Sequence, residues 1–515
     1  MDNKRLTLVA MIFAVAMMFI DQTIVALAIP DLQRDLSLSA TGAQWIINGY
    51  LLALSALFAL GGKLADVLGH RRMVLVGVAG FALFSALCGA TPTGSIGEAW
   101  MIFFRILQGA SAALLFPAAL AIVVSAYPLR ERGKALAIFF AASGGLTAVG
   151  PLAGGYLTEW TWRAIFWINV PVAIVAIVLT LKARPAQATR KTPIDYRGAV
   201  LISIAMGLAV LGLQQAGVWG WDDARTWACI VAGLVLLAVF VLNQLRVRDP
   251  LIQMRIFSQR AFSADNVVLF LISAVFVPLF FFASVYAQVS LGYGSSEAGL
   301  FLLVFFAGFA TASQWGGRIL DERGAKPSVV LGCAVSAVGF FLWARQLPDM
   351  DFSNQWYWLA IAGAGMGLVL GPVSTDAVNR APNTSYGEVT GITQTVRNFG
   401  ASLGLAILGS VLVTQNVGRI EDTLTARGIP TARADAIAHS ITSSSGGDSS
   451  PVGAAGRAIF EAIQLDVAKS TQVIVYAMAG IMVVAFVVAR IGMPKGRVEE
   501  VIVADDEPEG AAATA

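Results

Sequence analysis

Hydrophobic residues occur along this chain in long runs that are separated by short polar connections. A helix needs about 20 residues to cross about 30 Å of hydrocarbon, and the runs have that length. Fourteen are present, at roughly residues 7–30, 44–62, 73–92, 99–127, 135–157, 163–181, 198–217, 227–245, 264–288, 298–315, 328–347, 356–377, 389–414 and 473–493. The pattern predicts an all-α integral membrane protein with fourteen transmembrane helices and both chain ends on one side.

The basic residues indicate which side that is. Lys and Arg resist translocation and therefore accumulate on the cytoplasmic side. Most of them lie on the side of the N-terminus, and the short connections of the other side hold only Arg34, Arg163, Arg225 and Arg345. We expect a bacterial-type plasma (inner) membrane, both termini in the cytoplasm, and an outer loop at 415–472 that folds as short helices on the outer surface.

Composition narrows the function classes. Hydrophobic residues make up 57% and charged residues 13% of the chain, which excludes a water-soluble fold. The net charge of +3, without a basic stripe, gives no sign of nucleic-acid binding. His70 and His439 have no metal-ligand spacing, and the sequence contains no phosphate-binding lysine motif and no nucleophilic-serine motif. We therefore expect no enzyme activity, no cofactor, no metal and no required protein partner.

A short pattern, G-x-x-x-D-x-x-G-x-[RK], occurs twice. Its residues in the two copies are Gly62, Asp66, Gly69 and Arg71, then Gly317, Asp321, Gly324 and Lys326. Each copy follows the second helix of a block of six, which predicts two six-helix bundles at 1–182 and 261–493. Transmembrane helices 7 and 8 then belong to a linker at 183–260, and 494–515 is a disordered cytoplasmic tail.

The repeated pattern has two interpretations. Its glycines permit a tight turn at the cytoplasmic end of a helix, beside an aspartate and a basic residue. Such a turn can clamp one bundle to the other and open when the bundles rock. The alternative is a solvated hairpin that only obeys the charge rule. We expect a cytoplasmic gate.

Five further stretches follow one another in a fixed order. They are Asp21-Gln-Thr23, Arg105-Ile-Leu-Gln108-Gly109, Gly150-Pro151-Leu-Ala-Gly154-Gly155, Trp162-Arg163 and Arg397-Asn-Phe-Gly400. In this order and together with the repeated turn, they resemble the major facilitator superfamily, and within it the fourteen-spanner drug:proton antiporters. The resemblance covers nearly the whole chain. It implies the major-facilitator fold, alternating access around a central cavity, and H⁺ as the coupling ion.

The stretch with Gly150, Pro151, Gly154 and Gly155 is an antiporter kink in the family that the chain resembles, where it marks exporters rather than importers. Proline removes a backbone donor, and the glycines let a neighbouring helix approach closely. On physical grounds alone, a packing kink with no bearing on transport direction is the alternative.

Ionisable side chains inside the spans are functional candidates because a charge in the membrane is costly. Asp21 and Arg105 each lie roughly 10–13 Å below the outer surface, at 1.5 Å per residue, and meet if their helices are neighbours. The hypothesis is that Asp21 binds the coupling proton and pairs with Arg105 when ionised. A permanent structural ion pair is the alternative.

The second half holds weaker candidates. Asp376 and Arg397 form a possible second coupling or gating pair, and Asp265 lies at the inner end of span 9, although solvation at the interface also accounts for all three. Other polar residues either line a central cavity or join helices to each other. They are Gln108, Tyr286, Gln288, Gln394 and Asn398.

The sequence therefore predicts a proton-driven exporter of lipophilic, cationic small molecules. A dedicated exporter of an endogenous secondary metabolite or antibiotic is an alternative that one sequence does not separate from it. A membrane-embedded sensor or lipid-processing protein is the alternative from another class, and it would need a soluble signalling domain or a catalytic cluster that the sequence does not contain. The expected partners are the substrate, protons and lipid.

Overall fold

The computed structural model of the chain describes residues 3–127, 135, 138, 139, 142, 146, 149–185, 193–380, 386–443 and 454–496. Within these residues every regular element is helical. Thirteen helices among them are long and apolar enough to cross a membrane. The predicted all-α membrane architecture is therefore confirmed. Nine residues of the fifth predicted span, 135–157, lie outside the described residues, and the structure describes this span continuously only from residue 149 on.

The first half contains the following helices: α1 (Asn3–Leu36), α2 (Ala40–Leu68), α3 (His70–Gly89), α4 (Gly97–Ala126), α5 (Val149–Trp160), α6 (Ala164–Trp167) and α7 (Asn169–Ala183). α6 and α7 together form one span. α2 begins where the hydroxyl of Ser39 accepts a hydrogen bond from the amide of Gly42 at 2.9 Å. It ends at Gly69, whose φ of 98° is open to glycine and strained for other residues.

The remaining helices are α8 (Tyr196–Trp219), α9 (Ala224–Arg246), α10 (Arg260–Val285), α11 (Ser295–Arg323), α12 (Ala325–Gln346), α13 (Trp356–Asn379), α14 (Tyr386–Ala426), α15 (Thr431–Ser443) and α16 (Ala454–Gly492). α11 ends at Gly324 with a φ of 83°, as α2 does at Gly69. The two copies of the repeated pattern thus make the same kind of helix end.

The internal repeat is also visible in packing. Gly61 of α2 lies so close to α4 that an added Cβ would strike the backbone of Ala113. In the second half, an added Cβ on Gly316 of α11 would meet Leu368 of α13 at 3.2 Å. Small residues let these helix pairs approach closely. The second and fourth helices of each half therefore pack in the same way.

Among the described residues, the two halves meet mainly where α2 packs on α14, α5 on α11 and α1 on α10. The inserted helices α8 and α9 pack against each other, and α8 also contacts both α2 and α14. The insertion therefore lies beside one of the contacts between the halves.

The outer segment 415–472 differs from the expected set of short surface helices. α14 has 41 residues, so at about 1.5 Å per residue it is roughly 60 Å long and extends well beyond the hydrocarbon layer. α16 likewise begins at Ala454, far outside its apolar part. With α15 they enclose a small apolar cluster, and Thr423 donates to the Asp466 carboxylate at 2.6 Å. The outer segment continues the membrane helices rather than folding back separately.

Candidate functional site

Asp21 and Arg105 face each other from the middle of α1 and the outer part of α4. Arg105 Nη1 donates to Asp21 Oδ2 at 2.6 Å. The other carboxylate oxygen, Oδ1, accepts from Gln108 Nε2 at 2.9 Å. Arg105 Nη1 also donates to Gln108 Oε1 at 2.8 Å, which closes a triangle of three side chains. Gln108 lies one turn after Arg105, on the same helix face.

The other side of the guanidinium is held by α2. Arg105 Nε donates to the carbonyl of Ile46 at 2.9 Å, and the ring of Tyr50 lies 4.4 Å from the guanidinium carbon. Such a cation–π contact stabilises a desolvated cation. The sequence analysis missed both contacts, because a backbone carbonyl and an aromatic face carry no sequence signal until the packing of α2 on α4 is known.

All members of this cluster are withdrawn from solvent. Asp21 and Gln108 are 0% exposed and Arg105 is 1% exposed. Removing one charge from a buried pair leaves the other unpaired at a cost of several kcal/mol. A proton on Asp21 would therefore leave the charge of Arg105 without its counter-charge and favour a conformation in which water reaches the guanidinium. Gln108 belongs to this cluster and is not a cavity-lining residue in this conformation.

The kink of α5 is packed against α1. Added Cβ atoms on Gly150 would strike Thr23, and on Gly154 would meet Ile24 at 2.8 Å. This face of α5 needs glycine because the α1 side chains occupy the space that a side chain would fill. Thr23 follows Asp21 by two residues, so the glycines lie level with the ion pair along α1 but contact a different face of this helix.

The opposite face of the kink contacts the second half. An added Cβ on Gly155 would meet the carbonyl of Ser295 and the Cα of Ser296 at 2.8 Å, and one on Gly299 would meet the carbonyl of Pro151 at 2.5 Å. The kink of α5 therefore fits directly against the beginning of α11. We call this contact the outer seam, after the side of the membrane on which the sequence analysis expects it.

Hydrogen bonds continue the outer seam. Ser295 donates to Asp31 at 2.9 Å, and Ser296 donates to Glu159. Gln288, predicted as a cavity residue, donates to the carbonyl of Leu27 at 3.0 Å and thus joins α1 to the end of α10. The two halves are closed against each other on this side.

The repeated turns make contacts within their own halves. His70 pairs with Asp66 at 3.1 Å, and Lys326 donates to the carbonyl of Met493 at 2.7 Å, at the end of α16. Neither contact joins one half to the other. Gly62 has only the Pro117 side chain near its missing Cβ, at 3.8 Å, and Gly317 has open space there.

The remaining motif residues lie at the same end of the helices. Arg71 borders a surface groove with Arg72, and Asp321 is exposed. The contacts described for these turns do not join one half to the other. Their role as an inner gate stays a prediction for a conformation in which the inner ends approach each other.

The possible pair of Asp376 with Arg397 is wrong. Asp376 Oδ2 accepts from Arg380 Nε at 2.7 Å. Arg380 follows Asp376 by four residues in α13 and its C-terminal end, so the two side chains lie on one helix face, whereas Arg397 belongs to α14. Asp265 is 0% exposed, so interface solvation does not describe it either.

Two other predicted cavity residues have structural contacts. The Tyr286 hydroxyl donates to the carbonyl of Leu347 at 2.9 Å and accepts from Gln355 at 2.8 Å, and the residue is fully buried within the second half. Asn398 donates to the backbone carbonyl of Gln394 at 2.8 Å. Tyr286 therefore joins helices rather than lining a cavity, and Gln394 stays half-buried.

Two helical halves that meet at a closed outer seam, with a buried ion pair beside it, define a polytopic membrane transporter. Residues 11–405 match the Major Facilitator Superfamily. The chain belongs to this superfamily, as its sequence motifs predicted, and its members are transporters rather than enzymes.

Its relatives include resistance and export proteins. A tetracenomycin C resistance and export protein of Streptomyces glaucescens is 35% identical, over 80% of this chain and 77% of the relative. A puromycin resistance protein of Streptomyces alboniger is 32% identical, over 84% and 86%. A bacterial homologue of the human lysosomal transporter Spinster, solved in an inward-facing unoccupied conformation, superposes with a TM-score of 0.62 at 16% identity, over 95% and 97%. That likeness confirms the major-facilitator fold, and the two sequence relatives are named as antibiotic resistance proteins, one of them also as an export protein.

Proposed function

We propose that the protein exchanges cytoplasmic lipophilic small molecules for external protons by alternating access, with both termini in the cytoplasm. The observation that carries this proposal is the buried cluster of Asp21, Arg105 and Gln108 beside the closed outer seam. Both oxygens of the Asp21 carboxylate accept hydrogen bonds, one from the Arg105 guanidinium and one from the Gln108 amide. The conformation described here then corresponds to the state in which Asp21 has given up its proton.

The cycle follows from the charge balance of this cluster. When the outer seam opens, an external proton binds an Asp21 oxygen and replaces the hydrogen bond from Arg105. The cluster is then cationic, which disfavours the presence of a cationic substrate in the cavity and promotes its release to the outside. After the outer seam closes, the proton leaves to the cytoplasm, Arg105 pairs with Asp21 again, and a new substrate binds.

The proposed substrates are lipophilic molecules with a cationic or neutral head. The names of two relatives refer to tetracenomycin C and puromycin, which supports antibiotic-like molecules for this chain. Those names also favour the second candidate, a dedicated exporter of an endogenous antibiotic. In both cases the seam of α5 and α11 is the proposed outer gate, and the turns at Gly69 and Gly324 form the proposed inner gate.

Ethidium transport into inverted membrane vesicles tests the proposal. We expect the wild type to accumulate ethidium when a proton gradient is applied, an uncoupler to abolish the accumulation, and Asp21→Asn to lose at least nine tenths of it at equal expression. Asp223→Asn is the matched control, because it removes a partly exposed carboxylate that, among the described residues, bonds to Arg225 two positions on, and asparagine can still cap the helix. Gradient-driven transport by Asp21→Asn at the wild-type rate contradicts the proton role of Asp21. The same assay with puromycin separates a narrow exporter from a multidrug exporter.

A further inference from the structure

A second buried carboxyl cluster lies at the inner end of the second half. Asp265 lies five residues after the start of α10, and Asp376 lies three residues before the end of α13. Their side chains are within hydrogen-bonding reach of each other. The residues are 0% and 2% exposed, so neither carboxyl is at the aqueous surface.

The donors available to this cluster satisfy only one of the carboxyls. Asp376 accepts from Arg380 Nε at 2.7 Å, and Arg380 Nη2 donates to the carbonyl of Gly496 at 3.1 Å. Both oxygens of Asp265 are buried and have no hydrogen-bond donor among the residues that the structure describes. The neighbouring amide of Asn266 donates to the carbonyl of Phe262 instead, at 2.8 Å.

The charges around Asp265 do not replace the missing donor. Asp376 and Arg380 of α13 are the charged groups that act on it. Lys326 of α12 lies at the same end of the half. Arg490 of α16 and Lys495, just after α16, repel its positive charge, and its amine donates to the carbonyl of Met493. Arg260, at the start of α10, donates to the carbonyl of Ile491. Among the described residues, Arg397 of α14 makes no hydrogen bond or ion pair with Asp265 or Asp376.

An ionised Asp265 would give this cluster a net charge of −1 and leave two carboxylate oxygens buried without donors. Such a group costs several kcal/mol. A proton on Asp265 removes that charge and supplies the hydrogen that links its carboxyl to Asp376. One proton therefore satisfies both the charge and the hydrogen-bond requirement.

We propose that Asp265 is a second proton-binding carboxyl, which holds its proton against Asp376 in the conformation closed at the outer seam. Arg380 neutralises Asp376 and also bonds to the carbonyl of Gly496, which follows α16, so it connects the cluster to the cytoplasmic side. A small movement of α10 against α13 would separate the two carboxyls and release the proton there.

The position of this cluster in the fold has a counterpart in the first half. α10 and α13 are the first and fourth helices of their half, as α1 and α4 are in theirs, and those helices carry Asp21 and Arg105. The two carboxyl clusters lie at different depths. Asp376 follows Pro372 by four residues, and the equivalent position after Pro117 in α4 is Ala121, so the first half has no carboxyl at that level of α4. The two carboxyls are thus separate sites. If the proposed antiport is correct, each cycle moves up to two protons.

Infrared spectroscopy of the full chain in lipid nanodiscs tests the proton site without transport. At neutral pH we expect the wild type to show the C=O band of a buried protonated carboxyl, Asp265→Asn to lose it, and Asp223→Asn to retain it. Asp376→Asn should lose the band as well, because Asp265 then ionises to pair with Arg380. Identical spectra of wild type and Asp265→Asn overturn the proposal. Loss of the wild-type band on adding NaCl also overturns it, because the site would then be a sodium site.

Ethidium transport by the same variants separates this proposal from the proposed function. Transport that depends on Asp21 with no band assigned to Asp265 overturns only the second site. An Asp265 band in a protein that does not move ethidium supports the second site and counts against multidrug export. Support for both requires the band and a wild-type proton-to-ethidium ratio that Asp265→Asn lowers by about one proton.

Discussion

At the residue scale, Tyr50 is the partner of the ion pair that sequence reasoning did not find. Its ring contacts the Arg105 guanidinium, while its buried hydroxyl has no hydrogen-bond partner in the described part of the chain. The ring, not the hydroxyl, is therefore the part that stabilises the arginine. Cation–π contacts of a desolvated arginine contribute about 2 kcal/mol.

This difference predicts the effect of two substitutions. Tyr50→Phe keeps the ring and removes an unsatisfied group, so we expect wild-type transport and equal or higher thermal stability. Tyr50→Ala removes the ring and leaves a cavity beside Arg105, so we expect the free energy of unfolding to fall by about 3–5 kcal/mol and transport to be lost. Thermal unfolding in detergent and vesicle transport measure both quantities. A Tyr50→Phe protein as impaired as Tyr50→Ala would assign the effect to the hydroxyl instead.

The residues also show what the sequence could predict. Equal depth in two spans was sufficient to bring Asp21 and Arg105 together, because few charges lie inside the membrane. The same reasoning failed for the possible pair of Asp376 with Arg397, because Arg380, four residues after Asp376, is available at the end of the same helix. A partner four residues away is held close by the helix itself, whereas a contact between helices depends on their packing. The isolation of Asp265 depends on the positions of all its neighbours and has no sequence signal.

At the element scale, helix positions within the hydrocarbon followed from hydropathy, and their extension beyond it did not. The polar residues that lengthen α14 and α16 are helical because they pack on α15, a tertiary contact that a hydropathy window does not detect. The role of the kink in α5 was open between packing and direction. The structure shows that its glycines contact both α1 and α11. The two interpretations are therefore compatible, because a gate at the outer seam needs this close packing between the halves.

The outer seam predicts a shift of conformation. Gly155→Val places a branched side chain against the backbone of Ser295 and Ser296, which cannot move aside as a flexible side chain can. We expect the seam to stay open, so that Ser295→Cys reacts with a membrane-impermeant maleimide at least ten times faster than in the parent protein. Both proteins also carry Cys229→Ser, because Cys229 is partly exposed and could react with the maleimide. Cys88 and Cys333 are buried and are left in place.

The control for this experiment is a glycine with free space around it. Gly207 of α8 has no atom within 4 Å of its missing Cβ, so Gly207→Val should leave the labelling rate of Ser295→Cys unchanged. Equal labelling of the Gly155→Val and parent proteins would show that the seam tolerates the side chain. The kink would then have no gating role.

At the scale of the whole molecule, a buried polar network joins both halves to the inserted helices. Asn48 of α2 donates to the Gln214 side chain of α8 and accepts from Ser402 of α14 at 3.0 Å. Gln214 also donates to the carbonyl of Thr41 at 3.2 Å. The insertion is therefore bonded to the first half directly and to the second half through Asn48, at a contact that must rearrange if the halves rock.

We predict that Gln214→Leu weakens this connection. The change leaves the Asn48 amide buried without its acceptor, which costs about 1–3 kcal/mol of stability. Thermal unfolding should detect that loss, and transport should fall further than stability does if the insertion guides the motion of α2 against α14. Gln215→Leu is the control at the next position, because its buried Oε1 has no hydrogen-bond partner among the described residues. Equal behaviour of the two variants would mean that α8 is held by apolar packing alone. In that case the two inserted helices lie beside the transporter without taking part in its cycle.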